Sequence, residues 1–111
     1  MIKWADYIIT KMKSEDMKGK RTLILAEMHH DTDDLDKVGS WYSRDKLISL
    51  ISIGNSVCLA FKKNNLWVPG PDIRPYKIND HYYLKTLDSN DGIEEDSLPQ
   101  KNILQLGSLK R

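Results

Sequence analysis

At 111 residues, 40% of them hydrophobic, the chain can build one modest core but not a core plus a separate catalytic domain. Its 17 Lys and Arg stand against 16 Asp and Glu, a formal charge of +1 that excludes the global basic excess of a protein wrapping duplex DNA or RNA. No run approaches the roughly 20 apolar residues that span a bilayer, and MIKWADYIIT has no apolar signal core, so a soluble, unprocessed, cytoplasmic protein is expected.

In chain order, ADYIITKMK alternates and is rich in β-branched and aromatic residues, which predicts a strand; SEDMKGK is expected to break it. RTLILAEMHH predicts a second strand antiparallel to the first, and DTDDLDKVGS a polar acidic loop. SRDKLISLISIGN carries the clearest helix signal. Ser43 is placed to cap the first free amides, Asp45 sits in the first turn, Leu47, Leu50 and Ile51 recur at helical spacing, and Gly54 suits the left-handed residue beyond the end. After it the period falls to two. SVCLAFKK and LWV flank Asn64-Asn65 as a hairpin, PGP is expected to end the second of these strands, and IRPYKI and HYYLKT form a last hairpin about Asn79-Asp80. Pro75 within it requires an edge strand, or a position where its missing amide faces outward. The lone Cys58, in the run VCLAF, reads as a small core residue rather than a nucleophile or half a disulfide. Residues 1–87 are thus expected as one globular domain and 88–111 as a polar, loosely attached tail whose Ile103, Leu104, Leu106 and Leu109 dock on the body or on a second subunit. The fold class is α+β: a small, strongly twisted, mostly antiparallel sheet of five or six strands, open or barrel-like, with one covering helix.

The run MHHDTDDLD gathers His29, His30, Asp31, Asp33, Asp34 and Asp36, residue types that ligate metals. Adjacent strand residues point to opposite faces, however, so His29 and His30 do not share one ion without a bend. Counted from Asp31, a calcium loop fails as well, with Asp36 where glycine is needed and Tyr42 where glutamate is needed. DSNDGIEEDSL fails in the same way. There is no nucleophile elbow, Walker loop or dinucleotide fingerprint. No catalytic residue, metal ligand or cofactor is expected.

Hairpin pairing is more informative. A two-residue loop at Asn79-Asp80 pairs Ile78 with His81, Lys77 with Tyr82, Tyr76 with Tyr83, Pro75 with Leu84 and Arg74 with Lys85. Arg74, Tyr76, Ile78, His81, Tyr83 and Lys85 then share one face, and Ile73, Pro75, Lys77, Tyr82, Leu84 and Thr86 the other, core-like one. Arg74 opposite Lys85 is a like-charge pair, unfavourable unless both splay into water or an anion sits between them. At Asn64-Asn65, Phe61 pairs with Val68 toward the core and Lys62 with Trp67 on the opposite face, in cation-π geometry. Lys62, Trp67, Arg74, Tyr76, His81, Tyr83 and Lys85 therefore make an aromatic and basic surface, joined by Arg44 at the helix start, where amides also face anions. Rings stack on bases and cations clamp phosphates, which suits a nucleotide-type ligand; the same side chains also suit a protein interface, or the solvated face of an edge hairpin.

The order ADYIIT, then WYSRDKLISLISIGNSVCLAFKKNNLWVPGPDI, then HYYLKT and a late SLP, resembles a family of small bacterial and phage proteins catalogued as domain of unknown function 3892. The resemblance covers most of residues 5–99, departs from the pattern at Pro69 and Pro71 and beyond Pro99, and implies a compact β-rich domain without an assigned enzyme activity. The expectation is a non-enzymatic module that holds or sequesters a nucleotide-like small molecule, as phage anti-defence proteins do, in the host cytoplasm and as a homodimer or higher homo-oligomer. The alternative is a protein-binding inhibitor or adaptor using the same surface. Arg44, Lys62, Trp67, Arg74, Tyr76, His81, Tyr83 and Lys85 are the ligand-binding candidates.

Overall fold

The computed structural model describes residues 4–30, 32–87, 96, 98 and 103–105. Strand β1 (Tyr7–Met17) and strand β2 (Lys20–His29) form an antiparallel hairpin closed by Lys18 and Gly19, both at positive φ. The expected break at SEDMKGK is therefore a correction. Ser14 to Met17 stay in the ladder, because main-chain pairing needs no apolar side chain where a hairpin runs out past the core. A short 3-10 turn (Thr32–Asp34) crosses the acidic segment, whose Leu35 is buried. Strand β3 (Ser40–Ser43), which the polarity pattern did not predict, pairs with β2; four residues carry too little alternation to register.

Helix α1 (Arg44–Ser52) starts as expected, with the Ser43 hydroxyl accepting from the Lys46 amide at 3.2 Å, and buries Leu47 and Leu50. It lies on the crossover that brings strand β4 (Val57–Lys63) back beside β1 in the parallel sense, Tyr7–Ile9 against Val57–Leu59. The start of β1 is tied there by a reciprocal pair: the Asp6 amide donates to Ser56 Oγ (3.0 Å) and the Ser56 amide to the Asp6 carboxylate (2.9 Å).

Strand β5 (Leu66–Ile78) follows a turn in which Asn64 and Asn65 both have positive φ. It runs straight through PGP, where the sequence predicted an end. Pairing passes from Ala60–Pro69 to Cys58–Asp72, one residue more on β5 than on β4, so the prolines sit at a bulge instead of in a regular ladder. Gly70 makes the bulge possible: a Cβ there would lie 2.7 Å from the Phe61 ring and 3.1 Å from the Leu59 carbonyl oxygen. Strand β6 (His81–Thr86) completes the path β3-β2-β1-β4-β5-β6, and strand β7 (Ile103–Gln105) lies parallel to the far half of β1. The fold is the expected α+β arrangement, a mostly antiparallel mixed sheet with one helix, and the sheet is open rather than closed into a barrel.

Two apolar layers result. Ile9, Met12, Leu23, Leu59, Ile73 and Leu84 pack with Leu47 and Leu50 on the helix side. On the other side Ile8, Cys58 and Ala60 pack with Ala5 and Leu35 beneath Trp4 and Trp67. Within residues 88–111, Asp96 and Leu98 are buried and β7 joins the sheet. Leu106 and Leu109 lie outside the described residues.

Asp96 closes a gap between the curled ends of the sheet. Its carboxylate accepts from the Leu23 amide of β2 (2.6 Å), the Leu84 amide of β6 (2.8 Å) and both terminal nitrogens of Arg44, while its own amide donates to the Arg21 carbonyl. The same Arg44 donates to the Tyr82 carbonyl at 2.7 Å. Tyr82 and Leu84 are two of the three β6 residues whose main-chain groups point away from β5, so this ion pair satisfies that part of the outer edge as a neighbouring strand would.

Candidate functional site

The β5–β6 ribbon has the register that its two-residue turn dictates: Ile78–His81, Lys77–Tyr82, Tyr76–Tyr83, Pro75–Leu84 and Arg74–Lys85, with Asn79 and Asp80 both at positive φ. Burial follows the alternation. Ile73, Leu84 and Thr86 are buried on the helix side, whereas Arg74 and His81 are exposed and Tyr76, Tyr83 and Lys85 half-buried on the other. The Tyr76 and Tyr83 rings lie 5.8 Å apart, tilted by 40°. The Lys85 ammonium lies 5.5 Å from the Tyr76 ring centroid. The Arg74 side chain makes no hydrogen bond or ion pair among the described residues, and neither does that of His81.

Pro75 stands opposite Leu84, whose amide points outward to Asp96, so the missing Pro75 donor lies on the flank of β5 that faces away from β6. Along this flank β4 pairs only as far as Cys58–Asp72, and beyond it opens a groove of about 430 Å³. Ile51, Ser52 and Asn55 at the end of α1, Ser56, and Asp72 and Arg74 of β5 line it. The volume falls within the range of small-molecule sites. Sequence reasoning placed Arg74 on the surface but missed the groove and Asp72; the available signal was that Asp72 lies two residues before Arg74 and so shares its face.

Lys62 and Trp67 occupy this same face of the sheet but are held elsewhere. Lys62 lies 5.0 Å from the Trp67 ring centroid, and both donate to Asp36 of the acidic loop, Nζ at 3.0 Å and Nε1 at 2.8 Å. These bonds, the indole's first, hold the exposed Asp36 carboxyl below the ordinary aspartate value. Trp67 and Tyr76 are nine positions apart on β5, about 30 Å of extended strand, which is longer than one mononucleotide. Arg44 is on the helix side with its guanidinium given to Asp96, Leu23 and Tyr82, which leaves it a structural cation. Five of the eight candidates therefore come together: Arg74, Tyr76, His81, Tyr83 and Lys85.

The histidine run resolves into separate environments. His29 is buried, its Nε2 2.9 Å from the Thr10 hydroxyl, which also donates to Glu27; the other Glu27 oxygen accepts from the Gly39 amide. His30 packs on the Tyr7 ring at 4.7 Å. Cys58 is buried, and burial together with the neighbouring Asp72 charge pushes its thiol up to about 11. No group of three or more metal-ligating side chains occurs among the described residues. No helix there is long and apolar enough to cross a membrane. No protein-family model, curated protein or solved structure matches this chain.

Proposed function

We propose that the chain is a non-enzymatic binding module that holds a nucleotide-type anionic small molecule against the β5–β6 ribbon. The observation carrying this reading is Arg74: a cation without a partner among the described residues, set opposite Lys85, beside two tyrosine rings and on the rim of a groove. An oxyanion between Arg74 and Lys85 removes the like-charge conflict, and charge-assisted hydrogen bonds to guanidinium are the stronger kind. Tyr76 and Tyr83 offer the ring surface on which a base stacks, with His81 at the turn end of the same face. Sequestration of a signalling nucleotide, as phage anti-defence proteins do, fits a chain of this size and is the biological form of this proposal.

The test is thermal unfolding with cyclic dinucleotides, ADP-ribose derivatives and mononucleotides, on the wild type and on an Arg74→Ala, Tyr76→Ala double variant. Ligand at about 100 times its dissociation constant adds roughly 2.7 kcal/mol, a shift of several degrees at this size. The shift is expected to vanish in the double variant, and the ligand to be recovered intact. Absence of a shift from every compound overturns the nucleotide reading; turnover overturns the non-enzymatic one.

A further inference from the structure

Resting on that reading, we infer that the ligand is a ribonucleotide, with its phosphate on Arg74 and Lys85 and its 2′-hydroxyl recognised by Asp72. Asp72 and Arg74 are two residues apart on one face of β5, and both line the groove. Neither side chain has a hydrogen-bond or ion-pair partner among the described residues. Two residues of strand span about 6.6 Å, comparable with the distance from the sugar hydroxyls of a nucleotide to its 5′-phosphate.

The polarity of the groove sets the direction of binding. Its wall at Ile51 and Ser52 is the C-terminal end of α1, where the helix dipole is negative, and Asp72 adds a carboxylate. An anion is disfavoured there and a hydrogen-bond donor is favoured. The phosphate therefore belongs on the ribbon side, at Arg74 and Lys85, and the donor groups of the sugar on the groove side, at Asp72. A carboxylate accepting from a ribose hydroxyl is the same chemistry by which acidic residues select ribose in dinucleotide sites. Asn55 donates from Nδ2 to the Leu50 carbonyl and Ser56 is bonded to Asp6. Of the side chains lining the groove, Asp72 carries the charged acceptor.

Calorimetric titration of the full chain with the four ribonucleoside 5′-monophosphates and their 2′-deoxy counterparts tests the inference. The ribo form is expected to bind at least about tenfold tighter than its deoxy partner, the scale of a hydrogen bond to a charged group. Asp72→Ala should bring the ribo affinity down to the deoxy value and leave the deoxy affinity unchanged or slightly higher, because a carboxylate near the phosphate is gone. Arg74→Ala should weaken both forms by the same factor. Equal affinity of ribo and deoxy forms in the wild type, with Arg74→Ala still weakening both, overturns the Asp72 assignment and leaves the binding module standing. Absence of binding by all of these monophosphates overturns the inference, and the wider thermal-unfolding set decides separately the reading on which it rests.

Discussion

Replacing Asp96 by alanine should be the most damaging single change to this fold. The carboxylate is 1% exposed and receives the Leu23 amide, the Leu84 amide and two guanidinium nitrogens. Removing one member of a buried ion pair costs about 3–5 kcal/mol, and each buried amide left unpaired about 1–3 kcal/mol. These do not add in full: the Arg44 side chain keeps 19% of its exposure and its bonds to the Leu23 and Tyr82 carbonyls, so it recovers some hydration and some partners. A loss of about 4 kcal/mol is the balance of these figures. At about 4 °C per kcal/mol for a domain of this size, Tm should fall by about 15 °C. Urea unfolding followed by circular dichroism measures it, and a cycle with Arg44→Met should show that much of the loss is shared, since the two substitutions remove one interaction. A loss below about 1 kcal/mol, the value of an exposed pair, would refute the picture of a carboxylate closing the sheet.

Three further outcomes follow from the geometry. Because Trp67 and Lys62 lower the Asp36 pKa, its carboxyl should titrate by NMR below an ordinary aspartate, and Trp67→Phe should raise the midpoint; any stability it adds is complete above the unfolded-state pKa and lost as pH falls through the lower folded-state value. A titration unmoved by Trp67→Phe would contradict the indole bond. Cys58, with its thiol raised to about 11, should resist thiol reagents at pH 8 in the native state and react only on unfolding; rapid native labelling would place it at the surface instead. Gly39→Ala should destabilise by about 1–3 kcal/mol in chemical denaturation, since a Cβ there would meet the Met28 carbonyl oxygen at 2.6 Å and the His29 ring at 2.8 Å; a neutral result would mean that the 30–39 loop gives way freely.

Where structure is local, the residues declared it. Asn64-Asn65 and Asn79-Asp80 tolerate positive φ, and once a two-residue turn is set the cross-strand pairs follow, as far as Ala60 against Pro69 in the first hairpin and down to Arg74 against Lys85 in the second. Ser43, the helical spacing of Leu47 and Leu50, and Gly54 likewise bound α1 without help from the rest of the chain. Other features depend on groups distant in sequence. PGP reads as a strand end because proline lacks a donor, and only the pairing of β4 with β5 shows that it falls on a bulge where none is needed. Arg44 reads as an exposed cation at a helix start until the fold brings up Asp96, 52 residues away. Lys62 and Trp67 read as one surface with the tyrosines until the length of β5 separates them and Asp36 takes their donors.

The sequence by itself thus determined the helix, the two asparagine-turn hairpins and the side of the ribbon on which Arg74, Tyr76, His81, Tyr83 and Lys85 stand, because turn chemistry and alternation act over a few residues. Tertiary structure alone decided which cations remain unpartnered among the described residues and where the groove opens. Those outcomes depend on which carboxylates the fold brings within hydrogen-bonding reach, and local sequence patterns do not encode that proximity.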